Sequence, residues 1–237
     1  MDIKLSASAL TLFQECPHCF WLEKVKKIKR PRGIFPSLPS GMDRIIKTYF
    51  DTYRLKQMLP PELELQKEFQ GTALYADLAQ LDKWRNWRTG LEFSDEDGSS
   101  LIGALDELMV KEGLYIPFDY KTKGSLTTEE DAVRYYQKQL DCYALLLEEN
   151  HLPTAGYGYL LYFSPKKAED EGKVFFNVQT IKILTDPKRA KQLFRNAVSC
   201  LKKEIPESSR SCEFCLWLSQ SRPFLTQENL AFKLDSY

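Results

Sequence analysis

The sequence lacks the features that would tie it to a membrane or to a secretory route. No stretch reaches about 18 consecutive uncharged apolar residues, the length that a membrane-spanning helix needs. The first residues, Met1 to Leu5, also lack the basic and then apolar layout of a signal peptide. We therefore expect a cytoplasmic protein that binds no membrane.

The sequence also has no net charge, because 33 basic residues balance 33 acidic ones. The balance weakens any claim that the whole chain is attracted to nucleic acid, and the distribution of charge matters more than the sum. A basic run is either an ordinary solvated face or a contact for the DNA backbone. The basic run of this sequence consists of Lys24, Lys26, Lys27, Lys29, Arg30 and Arg32.

The spacing of apolar residues predicts a domain in which strands and long helices are mixed. Helices are predicted over residues 6–15, 41–56, 127–150 and 186–204, and strands over residues 100–110, 114–121, 155–163 and 173–183. Ser6, and Thr127 with Glu130, are the expected helix starts. The basic, proline-rich segment from Cys16 to Pro39 is expected to be largely irregular. This mixture favours the α/β or α+β class.

Two of these strands are expected to form a hairpin that brings two acids together. If Glu112 and Gly113 form a two-residue loop, Lys111 faces Leu114 and, counting back along the pair, Asp106 faces Asp119. Directly opposed residues hold their Cβ atoms about 4.5–5.5 Å apart. Two carboxylates at that distance repel each other unless a cation lies between them.

Lys121 follows Asp119 by two positions and should therefore project from the same face of the sheet. Two acids and a lysine suit Mg²⁺ or Mn²⁺, which prefer oxygen ligands, and the carbonyl of Tyr120 could add a further oxygen. A metal there would acidify a water for attack on a phosphodiester. The alternative is that Asp106 and Lys121 form an ordinary cross-strand ion pair.

Three short motifs in order resemble the PD-(D/E)XK nuclease superfamily. They are Gly103-x-x-Asp106, then Asp119-Tyr120-Lys121, then Gln139-x-x-x-Tyr143 on a predicted helix. With the opening Leu5-Ser-Ala-Ser-Ala-Leu-Thr-Leu-Phe-Gln-Glu-Cys-Pro, they look most like RecB-type nucleases and CRISPR-associated RecB-like exonucleases.

The resemblance implies a restriction-endonuclease-like α/β core, with a central mixed sheet flanked by helices, in one domain over residues 1–237. In this reading Asp106 and Asp119 bind the metal and Lys121 positions or deprotonates the attacking water. Gln139 and Tyr143 would reach the site or the DNA strand from one helical face.

One motif departs from the family pattern. Such proteins often place a metal-binding histidine on a helix ahead of the first strand, after a glycine, whereas the segment that begins at Gly41 offers Asp43. A carboxylate is a suitable hard ligand, so we expect Asp43 to be a third metal ligand. The two histidines, His18 and His151, lie outside any motif.

Four cysteines form two Cys-x-x-Cys pairs, Cys16 with Cys19 and Cys212 with Cys215. In a cytosolic protein such pairs indicate a metal site more readily than disulfides, and four sulfurs suit zinc or an iron–sulfur cluster. We expect residues 1–40 and 205–237 to form a metal-binding appendage around them.

The family resemblance favours a 4Fe–4S cluster over Zn²⁺, although the pattern again differs. The resembling exonucleases use one N-terminal and three C-terminal cysteines. Ser221 stands here at the position of the last one. Cys19 would restore the number of ligands to four.

The leading hypothesis is a nuclease for single-stranded DNA or DNA ends, acting in repair, recombination or CRISPR-type processing. Trp84, Arg85, Trp87 and Arg88 could contact an unpaired strand or, for the tryptophans, simply fill the core. The alternatives are a non-catalytic nucleic-acid-binding module and a subunit of a helicase–nuclease or CRISPR adaptation complex. Any motor would be another chain, because no phosphate-binding Gly-x-x-x-x-Gly-Lys-Ser/Thr motif is present.

Overall fold

Helices and strands alternate along the chain in the computed structural model, which describes residues 3–31, 33 and 37–225. The strands are β1 (Lys4–Ser6), β2 (Thr72–Leu74), β3 (Leu91–Ser94), β4 (Ser100–Gly103), β5 (Glu107–Lys111), β6 (Leu114–Thr122), β7 (Tyr157–Glu169) and β8 (Lys173–Leu184). The α-helices are α1 (Ala7–Glu15), α2 (Pro17–Val25), α3 (Ser37–Leu55), α4 (Pro61–Glu64), α5 (Leu78–Arg85), α6 (Glu129–Glu149), α7 (Pro187–Leu201) and α8 (Glu213–Ser221). Short 3-10 helices cover Lys67–Phe69, Asp170–Gly172 and Arg222–Phe224.

The chain divides into two units. The first, called here the sheet unit, comprises residues 1–8 and 34–195, and the second, the cysteine unit, comprises residues 9–33 and 196–237. Within the described ranges, no helix combines the length and the apolar character needed to cross a bilayer.

The sheet unit contains a five-stranded and a three-stranded sheet. The larger has the strand order β2-β5-β6-β7-β8, and the smaller has the order β1-β4-β3. In the larger sheet only β6 and β7 are parallel, and α6 connects them, as a parallel pair requires a crossover. The predicted α/β class, with a mixed sheet flanked by helices, is confirmed.

The turn between β5 and β6 fixes the register of the predicted hairpin. Glu112 (φ 52°) and Gly113 (φ 79°) both have positive φ, as the two central residues of a type I′ turn must. Lys111 therefore pairs with Leu114, and the ladder continues to Glu107 opposite Phe118. The predicted loop is confirmed, and so is the register over the paired residues; Asp106 lies one position before them, so its facing of Asp119 stays a prediction.

The single strand predicted over residues 100–110 is wrong. It breaks into β4 and β5, which belong to different sheets, with residues 104–106 between them. Gly103 and the adjacent acids Asp106 and Glu107 interrupt the apolar pattern at this break. The break leaves Asp106 just before β5, where its side chain is not confined to the pleat of a ladder.

Two helix predictions also need correction. The segment from Cys16 to Pro39, expected to be irregular, contains α2 and the start of α3. Cys16 is the N-cap of α2, where its Sγ accepts a hydrogen bond from the Cys19 N–H at 3.4 Å. Helix α6 is capped by Thr128 and not by Thr127, and the Thr128 hydroxyl accepts from the Asp131 N–H.

One face of the larger sheet packs against α3 through an aromatic core. Phe50 of α3 lies 4.8 Å from Tyr120 and 6.0 Å from Phe118, measured between ring centroids. Phe69 and Tyr159 extend this cluster at 4.7 Å. Because side chains alternate along β6, the burial of Phe118 and Tyr120 on this face directs Asp119 and Lys121 to the other.

A buried ion network joins α3 and α5 to the start of β5. Glu107 is fully buried, and its Oε2 accepts hydrogen bonds from Arg54 at 2.5 Å, Arg85 at 3.3 Å and the Tyr120 hydroxyl at 3.0 Å. Asp51 accepts two hydrogen bonds from Arg85, at 2.8 and 3.0 Å. Arg85 also donates to the carbonyl of Asp106 at 3.0 Å, so this network holds the backbone of a predicted site residue.

Replacing Glu107 should destabilise the protein severely. Glu107→Ala leaves the Arg54 guanidinium, whose side chain is 1% exposed, with only the longer ion pair to Asp51 at 3.3 Å among the described residues, and breaking a buried pair in this way costs about 3–5 kcal/mol. Urea unfolding followed by circular dichroism measures the loss. Glu92→Ala is the control, because it removes an exposed pair with Lys4 and should cost about 1 kcal/mol or less. Equal losses in the two variants would contradict the prediction.

Candidate functional site

A fully buried carboxylate on β6 is the centre of the candidate site. Asp119 is 0% exposed and forms an ion pair with the ammonium of Lys121, which follows it on the same face. Its Oδ1 accepts a hydrogen bond from the Gln139 amide at 2.8 Å. Its Oδ2 lies beside Lys121 but has no hydrogen-bond partner among the described residues.

Helix α6 supplies the groups that orient this pair. The Gln139 side chain donates from Nε2 to Asp119 and accepts at Oε1 from Lys121 at 3.2 Å, so it contacts both partners. The same Nε2 donates to the Tyr143 hydroxyl at 2.6 Å, and that hydroxyl donates to Asp119 Oδ1 at 3.4 Å. The four residues of the Asp-x-Lys and Gln-x-x-x-Tyr motifs therefore meet at one point.

The other predicted acid, Asp106, contacts a lysine that the sequence motifs do not include. Lys47 of α3 donates to Asp106 Oδ1 at 2.8 Å and to Asp43 Oδ2 at 2.9 Å, so one ammonium joins the two carboxylates. Lys47 lies one helical turn after Asp43, and this i,i+4 spacing is the one signal in the sequence that links them. Its long-range contact with Asp106 has no sequence signal.

Burial and the charge of Asp106 raise the pKa of Asp119 to about 7, although Lys121 acts in the opposite direction. Burial alone would lower the pKa of Lys121, but the charge of Asp119 outweighs it and the pKa rises. The pKa of Lys47 rises for the same reason, here because of Asp106. Burial and Asp119 raise the pKa of Tyr143, so this hydroxyl remains a neutral donor. Both lysines are therefore cations at neutral pH.

A pocket of about 230 Å³ lies beside these residues in the sheet unit. Its lining residues are Pro39, Asp43, Ile46, Tyr120, Lys121, Thr122 and Tyr136. The Lys121 ammonium lies 4.4 Å from the centroid of the Tyr136 ring, on the N-terminal part of α6. A small polar group can thus approach Lys121 and Asp43 from solvent along an aromatic wall.

The donor set suits a hard divalent cation. Asp119 Oδ2 is a buried oxygen whose described partner is the Lys121 ammonium, and burial together with repulsion by Asp106 raises the pKa of its carboxyl. A cation bound by both acids would relieve that repulsion. Among the described residues, Asp43, Asp106 and Asp119 do not form a set of ligand atoms within 4.8 Å of one another, and Asp43 pairs with Lys47. The ligand role of Asp43 stays a prediction.

The Tyr120 side chain lies on the opposite face of β6 from those of Asp119 and Lys121. It belongs to the aromatic core, where its hydroxyl donates to Glu107. The expected contribution of its carbonyl to a metal stays a prediction. The buried Arg54–Glu107–Arg85 network behind it was missed from the sequence, because Arg54 and Arg85 are far from Glu107 along the chain and no motif links them.

The tryptophan–arginine segment divides between core and surface. Trp84 is buried, and Arg85 belongs to the network around Glu107, so neither side chain is free to contact a DNA strand. Trp87 is 64% exposed, and the Arg88 guanidinium lies 5.2 Å from its ring centroid.

In the cysteine unit, the two Cys-x-x-Cys pairs converge. The ligand sulfurs of Cys16, Cys19, Cys212 and Cys215 all lie within 4.8 Å of one another and all four residues are buried, which confirms that the cysteines join the N- and C-terminal segments. Cys16 Sγ is 3.6 Å from Cys215 Sγ, and Cys19 Sγ is 3.7 Å from the sulfurs of both Cys212 and Cys215. The other two cysteines lie apart, with Cys142 buried on α6 and Cys200 half-buried on α7.

The basic run contributes one residue to this cluster. Arg30 donates to Cys212 Sγ at 3.3 Å and to Glu15 at 2.8 Å, so its guanidinium is occupied. Lys24 pairs with Glu23 at 3.0 Å. Arg32 lies outside the described residues. Contact of the remaining lysines with phosphate stays a prediction.

Comparison with known families identifies one match. The model of the PD-(D/E)XK nuclease superfamily matches residues 4–220, which is most of the chain and includes every motif residue above. Among curated proteins, no sequence matches the chain.

The titration of Asp119 should make stability depend on pH when Mg²⁺ and Mn²⁺ are absent. The folded protein keeps this proton up to about pH 7, whereas the unfolded chain loses it near the ordinary value of 3.8. Between these values the folded state binds more protons, so stability contributed by this group falls as pH rises. Asp119→Asn should lose this contribution to the change of unfolding free energy with pH, as measured by urea unfolding from pH 5 to 8.

Asp170→Asn is the matched control, because Asp170 is exposed at the turn between β7 and β8. Its free energy of unfolding should change with pH as steeply as that of the unchanged protein. An identical pH dependence of the unfolding free energy in all three proteins would show that Asp119 titrates normally.

Proposed function

The chain belongs to the PD-(D/E)XK nuclease superfamily, and from that membership we propose that it is a metal-dependent deoxyribonuclease acting on single-stranded DNA or on DNA ends. The observation that carries this proposal is the meeting of Asp119, Lys121, Gln139 and Tyr143 at one buried point with Asp106 beside it. The subtype we propose is RecB-like, with a role in repair, recombination or CRISPR-type DNA processing.

Asp106 and Asp119 are the residues that would hold Mg²⁺ or Mn²⁺ in this proposal. The bound cation would lower the pKa of a water and neutralise charge on the phosphate. In the reaction, the water oxygen forms a new bond to phosphorus, the bond to the leaving sugar oxygen breaks, and that oxygen receives a proton.

Lys121 is proposed to position the attacking water and to offset phosphate charge. Its pKa is raised by Asp119, so it is an ammonium at neutral pH and cannot accept a proton. Of the two roles that the family resemblance offered, positioning is therefore the one we assign. Gln139 and Tyr143 act through Asp119 and Lys121 as positioning residues, because their hydrogen bonds hold both side chains.

The preference for unpaired DNA is supported by aromatic side chains near the pocket. Tyr136 lines it, and the neighbouring Tyr135 is 59% exposed, with the Arg134 guanidinium 5.6 Å from its ring. Exposed rings with nearby cations suit stacked bases and adjacent phosphates. These rings lie about one helical turn before Gln139 on α6, so a strand stacked there would pass close to Lys121.

A nuclease assay on matched substrates tests the proposal. Linear single-stranded DNA, its blunt duplex, a circular single strand and RNA are incubated with Mn²⁺, with Mg²⁺ or with neither. We expect degradation of the linear single strand with metal only. Asp119→Asn should be at least about 100-fold slower, because a catalytic metal contributes several kcal/mol and each 1.36 kcal/mol is tenfold in rate.

The controls separate this function from its alternatives. Asp170→Asn should cut at the unchanged rate, and equal rates for Asp119→Asn would indicate a contaminating nuclease. Cleavage of the circle would overturn the requirement for ends. Tight DNA binding without cleavage by the unchanged protein would favour a non-catalytic binding module, and cleavage only with added helicase or CRISPR adaptation proteins would favour a subunit of a larger complex.

Lys47 is proposed to compete with the catalytic cation for Asp106. Its ammonium lies 2.8 Å from the Asp106 oxygen that a metal would bind, and removing a positive charge at that distance strengthens cation binding. Lys47→Met should therefore lower the Mn²⁺ concentration for half-maximal cleavage by about tenfold.

The control for this substitution is Lys4→Met, since Lys4 pairs only with the exposed Glu92 among the described residues. It should leave the Mn²⁺ requirement unchanged. A higher Mn²⁺ requirement in Lys47→Met would mean that Lys47 holds Asp106 in place for the metal instead of competing with it.

A further inference from the structure

The spacing of the four cysteine sulfurs limits what can lie between them. Three pairs are 3.6, 3.7 and 3.7 Å apart, and all four sulfurs lie within 4.8 Å of one another. Four sulfurs at the corners of a tetrahedron, each about 2.3 Å from one central ion, lie about 3.8 Å apart. The cysteine cluster therefore has the dimensions of a single-ion site.

A 4Fe–4S cluster would need a different arrangement. Each of its cysteine sulfurs binds a different iron, and the irons and sulfides occupy the space between the sulfurs. The ligands of such a cluster must stand much farther apart than ligands that share one ion. All four cysteines here are at most 7% exposed, and their sulfurs already fill the space that a cluster would take.

The backbone at the starts of α2 and α8 fixes the positions of the four cysteines. Cys16 is the N-cap of α2 and Cys212 is the N-cap of α8, and in each case the second cysteine of the pair lies in the first turn of the helix. Each pair thus spans a helix N-terminus in the same way. The geometry follows from the two helix starts and does not depend on a flexible loop.

We infer that the four cysteines hold one tetrahedral divalent ion, with zinc as the ion that their thiolates fit, and that Arg30 stabilises this site from its outer shell. This assignment disagrees with the 4Fe–4S cluster that the family resemblance implies. It concerns the cysteine unit alone and does not rest on the proposed nuclease activity.

Arg30 is suited to this role by its contacts. Four thiolates around Zn²⁺ carry about two uncompensated negative charges, which two helix N-termini offset only in part. The Arg30 guanidinium lies 3.3 Å from Cys212 Sγ and 4.7 Å from the Phe214 ring, with its side chain only 19% exposed. Hydrogen bonds from outer residues to ligands of this kind change metal affinity by about 10- to 100-fold.

Metal analysis of the intact chain tests the identity of the ion. The protein is expressed with both iron and zinc supplied, purified without oxygen, and analysed by mass spectrometry for metals, by absorbance and for acid-labile sulfide. We expect a colourless protein with one zinc per chain. Iron with an equal amount of sulfide would overturn the inference, and so would a metal-free protein with two disulfides.

Cysteine variants then check that the ion is at this site. Cys215→Ser should lose zinc, whereas Cys200→Ser, which changes a half-buried cysteine outside the cluster, should keep it. If Cys215→Ser does not fold, the metal analysis of the unchanged protein still decides between one zinc and an iron–sulfur cluster. Zinc retained in both variants of a folded protein would overturn the site.

The role of Arg30 is measured separately by the transfer of zinc to a coloured chelator. Arg30→Met keeps an apolar contact for Phe214 but removes the donor to Cys212, so we expect transfer to be about tenfold faster. Lys24→Met is the control from the same basic run, since Lys24 pairs with Glu23. Equal transfer rates for the two variants would overturn the role of Arg30.

Discussion

Burial of the Asp119 carboxylate is the constraint on which the candidate site depends. A carboxylate without water is stable only when neighbouring groups replace the solvent, and here Lys121, Gln139 and Tyr143 do so for one oxygen and for the charge. The second oxygen is paired with the Lys121 ammonium. What these groups leave uncompensated is the repulsion between Asp119 and Asp106, which a divalent cation bound by both acids would offset.

The two faces of β6 contact different parts of the structure. Phe118 and Tyr120 pack into the aromatic core with α3, while Asp119 and Lys121 face α6. Glu107, one position after Asp106, belongs to the stabilising side, where Arg54 and Arg85 hold it. The alternation of side chains along β6 accounts for the separation of Phe118 and Tyr120 from Asp119 and Lys121.

The hairpin register was predictable because it is local, whereas the contacts across the fold were not. Glu112-Gly113 determines the turn, and counting from it leads directly to Asp106 and Asp119. The break at residues 104–106 separates two short apolar segments that lie close enough together to resemble one strand, and α2 begins at a proline in a basic segment whose composition suggests a loop. The contact of Lys47 with Asp106 depends on how α3 packs, which spacing in one sequence does not reveal.

The cysteine cluster joins residues that the ribosome produces at very different times. Cys19 and Cys212 are separated by 193 positions, so at 5–20 residues per second the second pair follows the first by on the order of 10–40 s. During that interval the nascent chain carries two thiols at the start of α2 without their partners. Most of the sheet unit, residues 34–195, is synthesised in between, so it can fold before the four cysteines come together.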